Sequence, residues 1–237
     1  MATKQTEQRA QLRRTDGPSR LFDLNIEEML EAWEVSHAIR EVISNALDEQ
    51  FLSDTADIEI AKEGGAWRVR DFGRGLRIEH FTLNENEEKL GAGKGVIGKF
   101  GVGLKDALAT FHRRGVDVTI RSRWGTFITV ESEKHAFEGI STLHISYDDA
   151  PLDMQGTEFV LVGATDEAMR EAQSMFLRFS DEATLETTRY GDILRRRPET
   201  ARVYISGVLA SEEENFLFSY NVTDLTEACV SGLTERG

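Results

Sequence analysis

Three β-type runs follow one another with no helical segment between them: VDVTIRS (116–122), TFITVES (126–132) and STLHISY (141–147). VDVTIRS and STLHISY alternate apolar and polar residues, the period of a strand with one buried face. Runs joined by short connections pair as antiparallel neighbours, because a parallel pair needs a long crossover. Trp124-Gly125 provides the first turn. The block reads as successive antiparallel strands, with GTEFVLVG (156–163) as another strand after them.

Around this block the pattern is mixed. From Ile26 to Leu52 it is helical, with Ile39, Val42, Ile43, Ala46 and Leu47 on one stripe. Two short β-runs, DIEIAK (57–62) and WRVRDF (67–72), flank the turn signal Gly64-Gly65. Helices are expected at 104–114, 166–178 and 183–195, and a final strand in RVYISGVL (202–209). With no regular βαβ alternation, the expected fold class is α/β (α+β). It is a two-layer sandwich whose mixed, largely antiparallel sheet is covered on one face by helices.

The chain has 237 residues, 40% of them hydrophobic, enough for one large domain with its own core. Its formal net charge of −14 argues against a general nucleic-acid-binding role, since phosphate backbones need a positive surface. A single cysteine, Cys229, rules out a disulfide framework within the chain and has no zinc-type pattern around it. No apolar run approaches the ~18 residues of a membrane span. The first twenty residues lack the apolar stretch of a signal peptide, so a cytoplasmic setting is expected. Residues 1–20 carry Lys4, Arg9, Arg13, Arg14 and Arg20 against Glu7 and Asp16, and read as a disordered basic arm. The main domain is expected over 21–209, with 210–237 a tail or the start of a truncated further element.

Four segments carry candidate chemistry. In IREVISNALDEQ, Glu41, Asn45 and Asp48 are spaced one helical turn apart and share a side of the helix. An amide oxygen at Asn45 suits Mg²⁺, which often takes only one or two ligands from protein. A carboxylate one turn away can orient or deprotonate water. In VRDFGRGL a β-run ends on Asp71, with Gly73 and Gly75 following. A buried carboxylate accepts hydrogen bonds only, as an exocyclic amino group requires. The triplet Asp71-Phe72-Gly73 also occurs in protein kinases, but the other kinase signatures are missing.

The third segment is GAGKGVIGKFGVGLKDALATF, rich in glycine just before a helix. Helix N-termini attract phosphate, and Lys99 and Lys105 could add charge. Gly93, Gly98 and Lys99 nearly complete a P-loop, but Phe100 stands where the metal-binding Ser or Thr is required and no strand directly precedes. The fourth is Gly156-Thr157, opening a strand.

In order and spacing, EVISNALDE, DFGRG, GVIGKFGVGLKDA and GTEFVLV resemble the motifs of the GHKL ATPase superfamily. That group contains gyrase B, the heat-shock chaperones of the Hsp-ninety type, MutL, the MORC proteins and the histidine kinases. The likeness covers roughly 21–165, with an outer bound at 209, and is nearest the chaperone and MORC-like ATP-binding domains. The resemblance implies the Bergerat nucleotide fold, Mg²⁺ and ATP as ligands, and nucleotide-driven homodimerisation or contact with a protein partner. Glu41 would be the general base for water, Asn45 the Mg²⁺ ligand, and Asp48 a nearby residue that fixes the site. Asp71 would accept from the adenine amino group, with Thr157 supporting it through water. Gly73 and Gly75 would approach the base, and Gly98, Phe100, Gly101, Val102 and Gly103 would surround the phosphates, with 84–100 as a lid. Lys105 follows the third motif as in the MORC-like branch.

His37 superficially fits a phospho-acceptor segment, but that acceptor belongs on a separate helical domain, and His37 reads as a surface or packing residue. Relatives complete their sites with a residue from a following domain, often a lysine. Little chain follows residue 209 to supply one. The expectation is therefore firm ATP binding with slow hydrolysis. The alternatives are a nucleotide-binding regulatory module without turnover and a histidine-kinase-type phosphotransferase.

Overall fold

A computed structural model describes residues 20–24, 33–81, 97, 103–133 and 141–224. The expected antiparallel block is present. Strands β1 (Arg20–Asp23), β2 (Glu59–Glu63), β3 (Ala66–Arg70), β4 (Asp117–Ser122), β5 (Gly125–Glu133), β6 (Ser141–Asp148) and β7 (Thr157–Val162) form a seven-stranded sheet. Its order is β1-β6-β5-β4-β7-β3-β2. Every neighbouring pair is antiparallel. The β7 strand, last in this sheet by sequence, inserts between β3 and β4 and so brings residue 157 beside residue 71.

Among the described residues three α-helices accompany the sheet: α1 (Val35–Ser53), α2 (Gly103–Arg113) and α3 (Asp166–Ser174). The start of α1 is a capping box, in which the Glu34 side chain accepts from the His37 backbone and His37 Nδ1 accepts from the Glu34 N–H. Alternate strand residues Val69, Val118, Ile120, Phe127, Ile145, Phe159 and Leu161 are buried. They share one apolar cluster with Ile39, Val42 and Ile43 of α1, Leu108 and Phe111 of α2, and Met169 of α3.

A second, five-stranded sheet follows, built from β8 (Thr184–Thr188), β9 (Gly191–Leu194), β10 (Ala201–Ile205), β11 (Val208–Glu213) and β12 (Ser219–Val222). Its order is β11-β10-β12-β9-β8, with one parallel pair, β10 with β12. This corrects three expectations. The helix expected over 183–195 is the β8–β9 hairpin: Thr184, Thr187 and Thr188 are β-branched, and Gly191 sits where a side chain would collide with the Asn221 carbonyl. RVYISGVL is two strands, not one, because Ser206 and Gly207 both take positive φ and turn the chain back. The boundary expected after residue 209 falls inside β11, and of the two expectations for 210–237, tail or further element, residues 210–222 follow the second, with β12 the central strand.

The expected helix over 166–178 ends at Ser174 and gives way to a short 3₁₀ turn, Leu177–Phe179. Of the expected basic arm only Arg20 is described, and it opens β1. Among the described residues no helix is long and apolar enough to cross a membrane. The fold is mixed α/β with largely antiparallel sheets, as expected of its class, but with two sheets instead of one.

Phe111 is fully buried between helix and sheet residues of the common cluster. Phe111→Ala is expected to lower the free energy of unfolding by about 3–5 kcal/mol. Urea titration checks this, and a loss under about 1 kcal/mol would place Phe111 outside the packed core.

Candidate functional site

Helix α1 sets out the first group. Its apolar stripe is buried, which fixes its rotation and turns Glu41, Asn45 and Asp48 to the other side. Asn45 Nδ2 donates to the Glu41 carbonyl at 2.9 Å, which orients the amide along the helix. Glu41 Oε1 accepts from Arg40 Nε and Nη2 at 3.2 and 2.8 Å. Its other oxygen, Oε2, lies against Gly103, the first residue of α2, and a Cβ there would collide with it. The carboxylate therefore sits at the positive end of a helix dipole. Asp48 is fully buried, and its Oδ1 accepts from the Ile97 backbone N–H at 2.6 Å. It thus ties the Ile97 backbone to α1.

The second group forms where β3 and β7 end side by side. The Asp71 N–H donates to the Thr157 carbonyl at 2.9 Å, and Asp71 Oδ1 accepts from the Gly73 N–H at 2.9 Å. Thr157 Oγ1 accepts from the Leu76 N–H at 2.9 Å. Asp71 and Thr157 are both buried. Gly156 has φ of +75° and lies so close to the Asp71 carbonyl that no side chain fits. Gly75 packs against Ser122 and Arg123, and Trp124 Nε1 donates to the Arg74 carbonyl at 2.8 Å. The turn after Asp71 is thereby braced from the β4–β5 connection.

Two residues absent from the sequence expectation belong here. Glu49, two turns along α1 from Glu41, accepts from the Arg74 N–H, Nε and Nη2 at 2.7–2.9 Å and from Ser53 Oγ at 2.8 Å. A Cβ at Gly73 would collide with the Glu49 side chain. The signal was legible as Glu49 directly after Asp48 and Arg74 three residues after Asp71, which long-range pairing alone brings together.

The electrostatics divide these carboxylates. Burial pushes the Asp71 carboxyl up to about 6; the Gly73 N–H pulls against this, and the nearby Glu49 charge adds to it. Burial would also raise Glu49, but the hydrogen bonds from Arg74 and Ser53 outweigh it and hold Glu49 below the usual carboxylate range. In the first turn of α2, burial and then the Glu41 charge raise Asp106.

Other expected residues fall elsewhere. Lys105 is buried, and its Nζ donates to the Leu24 carbonyl at 3.2 Å, beside Asp23 and Asp106. Burial lowers its pKa. Lys105 thus links α2 to Leu24, at the end of β1. His37 serves the helix cap. Gly98, Lys99, Phe100, Gly101 and Val102, and the expected lid over 84–100 apart from Ile97, lie outside the described residues. Among the described residues no group of three or more His, Cys, Asp or Glu side chains is arranged to hold a metal ion.

Two comparisons bear on the chain as a whole. Residues 167–236 match the family model described as the Mycoplasma pneumoniae MPN635 N-terminal domain. An uncharacterised protein of Mycoplasma pneumoniae is 36% identical over 211 residues, covering 86% of this chain and 85% of that protein. The chain belongs to the family of this Mycoplasma pneumoniae protein. The matched model begins in α3 and takes in the whole second sheet.

The raised pKa of Asp71 has a defined sign for stability. Its folded value of about 6 exceeds the ordinary 3.8, so protonation favours the fold, and that contribution is lost as pH rises through about 6. Asp71→Asn, which does not titrate, is expected to gain on wild type by up to about 3 kcal/mol between about pH 4 and pH 8. Denaturant titration of both proteins at the two pH values checks this. A gap that does not change with pH would remove the buried-acid account.

Proposed function

We propose that the chain binds Mg·ATP and hydrolyses it slowly, with Glu41 as the base that activates water. One observation carries the reading: α1 joins two unlike carboxylate environments. At one end, buried Asp71 stands with Gly73, Gly75 and Thr157 in a braced turn, suited to accept from an adenine amino group. At the other, Glu41 faces the first turn of α2, where helix N–H groups favour phosphate. Glu41 and Glu49 mark these ends, eight residues or about 12 Å apart along the helix. That span suits an extended nucleoside triphosphate.

The fold supports the same reading. A largely antiparallel sheet shares its core with three helices, which fits a two-layer Bergerat-type sandwich for the part of the chain ending near α3. Asn45 fits the metal role: Nδ2 is committed to the Glu41 carbonyl, so the amide oxygen is the end directed away from it. Bound Mg²⁺ would neutralise charge on the triphosphate. Asp48 holds the Ile97 backbone N–H on the same helix. A cytoplasmic setting, with its ATP supply, accords with this role.

Turnover is taken to be slow because Lys105, the buried cation at the start of α2, is bound to Leu24. Phosphoryl transfer depends heavily on positive charge placed at the transition state. The same observation favours, as a second reading, a nucleotide-responsive module whose purpose is contact with a partner or a second copy. The phosphotransferase reading finds no such support, since His37 is engaged in the α1 cap.

Binding of a fluorescent ATP analogue and release of phosphate decide between these readings. Wild type is expected to bind in a Mg²⁺-dependent manner, Asn45→Ala to lose most of that dependence, and Glu41→Ala to bind while losing release by about 10²-fold or more. Absence of Mg²⁺-dependent binding by wild type would sink the proposal. Equal release by wild type and Glu41→Ala would remove the base. Gel filtration with a nonhydrolysable analogue is expected to show earlier elution than without it; an unchanged volume counts against nucleotide-driven dimerisation.

A further inference from the structure

The proposed base is itself gripped by a residue with no part in the reading above. Arg40 directly precedes Glu41, and two of its guanidinium nitrogens donate to the same carboxylate oxygen, Oε1. Adjacent residues on a helix point about 100° apart, so such neighbours do not ordinarily meet. Both side chains here are largely buried, 25% and 20% exposed, so the pair is a held contact and not a solvated one.

A second residue bends Arg40 into place. Its guanidinium carbon lies 5.7 Å from the centroid of the Trp33 ring. Trp33 is anchored in turn: its carbonyl accepts from Nη2 of Arg113 and of Arg114, each at 3.3 Å. These arginines close the C-terminal end of α2, while Glu41 Oε2 rests against Gly103 at the N-terminal end of the same helix. The cation therefore fixes one carboxylate oxygen, and the other is left facing the start of α2. Burial and then the Glu41 charge raise Asp106 in that first turn, so the Arg40 cation at Oε1 stands in an otherwise acidic surrounding.

We infer that Arg40, clamped on Trp33, is a positioning residue for Glu41: it holds Oε1 so that Oε2 is presented to the reacting water. The inference rests on the ATPase reading and deepens it by stating how the base is aimed. Orientation of a catalytic group matters steeply, since a displacement of about 1 Å costs on the order of 10²-fold in rate. Arg40 acts through Glu41 and touches no phosphate in this account, so it should govern turnover and leave nucleotide affinity alone.

The test compares full-length wild type with Glu41→Gln, Arg40→Gln, Arg40→Lys and Trp33→Leu, using a fluorescent ATP analogue for binding and phosphate release for kcat and KM. Arg40→Gln is expected to keep affinity and KM within about threefold while kcat falls on the order of 10²-fold. Arg40→Lys should recover part of kcat, because a cation is restored without the two-nitrogen grip. Trp33→Leu, which leaves Arg40 but removes its platform, should fall between wild type and Arg40→Gln.

Release by Arg40→Gln at the wild-type kcat overturns the inference and leaves the base assignment standing. Loss of binding by Arg40→Gln with a lowered melting temperature also overturns it, by making Arg40 structural. If wild type binds no ATP, or Glu41→Gln releases phosphate as fast as wild type, the ATPase reading fails and the inference goes with it.

Discussion

Helix α1 has one dry side and one polar side, and everything else in the molecule is arranged around that division. Ile39, Val42 and Ile43 are fully buried, each worth about 1.5–3 kcal/mol of transfer free energy. Turning the helix on its axis would expose them, so the core fixes its angular setting. The polar positions inherit that precision: Glu41, Asn45, Asp48 and Glu49 become a fixed array because their apolar neighbours cannot move. Both candidate clusters hang on this helix, one through Glu41 against α2 and the other through Glu49 against Arg74.

Burying Asp71 works against the fold, and the surrounding structure is shaped to contain that cost. A carboxylate inside the protein is unfavourable unless hydrogen bonds reach it. The chain brings one from Gly73, and it keeps Glu49 neutralised by Arg74 so that two bare anions do not face each other. The register of β3 with β7 makes this possible, because it sets Asp71 beside Thr157 and lets Gly156 approach without a side chain. A carboxyl held near neutrality in such a turn is an unusual expense for a plain loop, and perturbed groups of this kind concentrate at functional sites.

Legibility from the sequence followed the range of the interactions. The β4–β6 block, α1 and α2 were readable because hydrophobic period and turn residues are local. The positions of Asp71 and Thr157 were readable as separate points, but their contact depends on β7 inserting between β3 and β4, which no local pattern encodes. Glu49 and Arg74 were missed for the same reason. The helix expected over 183–195 is absent because Thr184, Thr187 and Thr188 are β-branched and a hairpin partner, not a local period, sets their conformation. Their partner β9 follows directly, but the other neighbour of β9 is β12, far along the chain, and Ser206-Gly207 is a hairpin turn inside what reads locally as one strand. The Lys105 contact was equally illegible: a lysine after a glycine loop suggests phosphate, and nothing local shows that its Nζ reaches the Leu24 carbonyl.

The second sheet is joined to the first part of the chain at more than its covalent link. Leu209 donates to the Met175 carbonyl, Leu177 to the Gly207 carbonyl, and Arg202 Nη1 to the Ser174 carbonyl, all at the end of α3. Arg178, just beyond, pairs with Asp57 at 2.6 Å and reaches Gln50 on α1 at 3.5 Å. The C-terminal end of α1 is thus met by Arg178, in the segment that leads into the second sheet. Met169 and Ala172 of α3 are buried in the same core as α1. A change in the setting of α1 therefore has a packed route to residues 184–222, through α3 and through Arg178. Transmission along it would require two arrangements of that contact, since adjacency alone does not couple sites. The matched family model begins in α3, so the part of the chain that it describes includes the joint itself, not the second sheet in isolation.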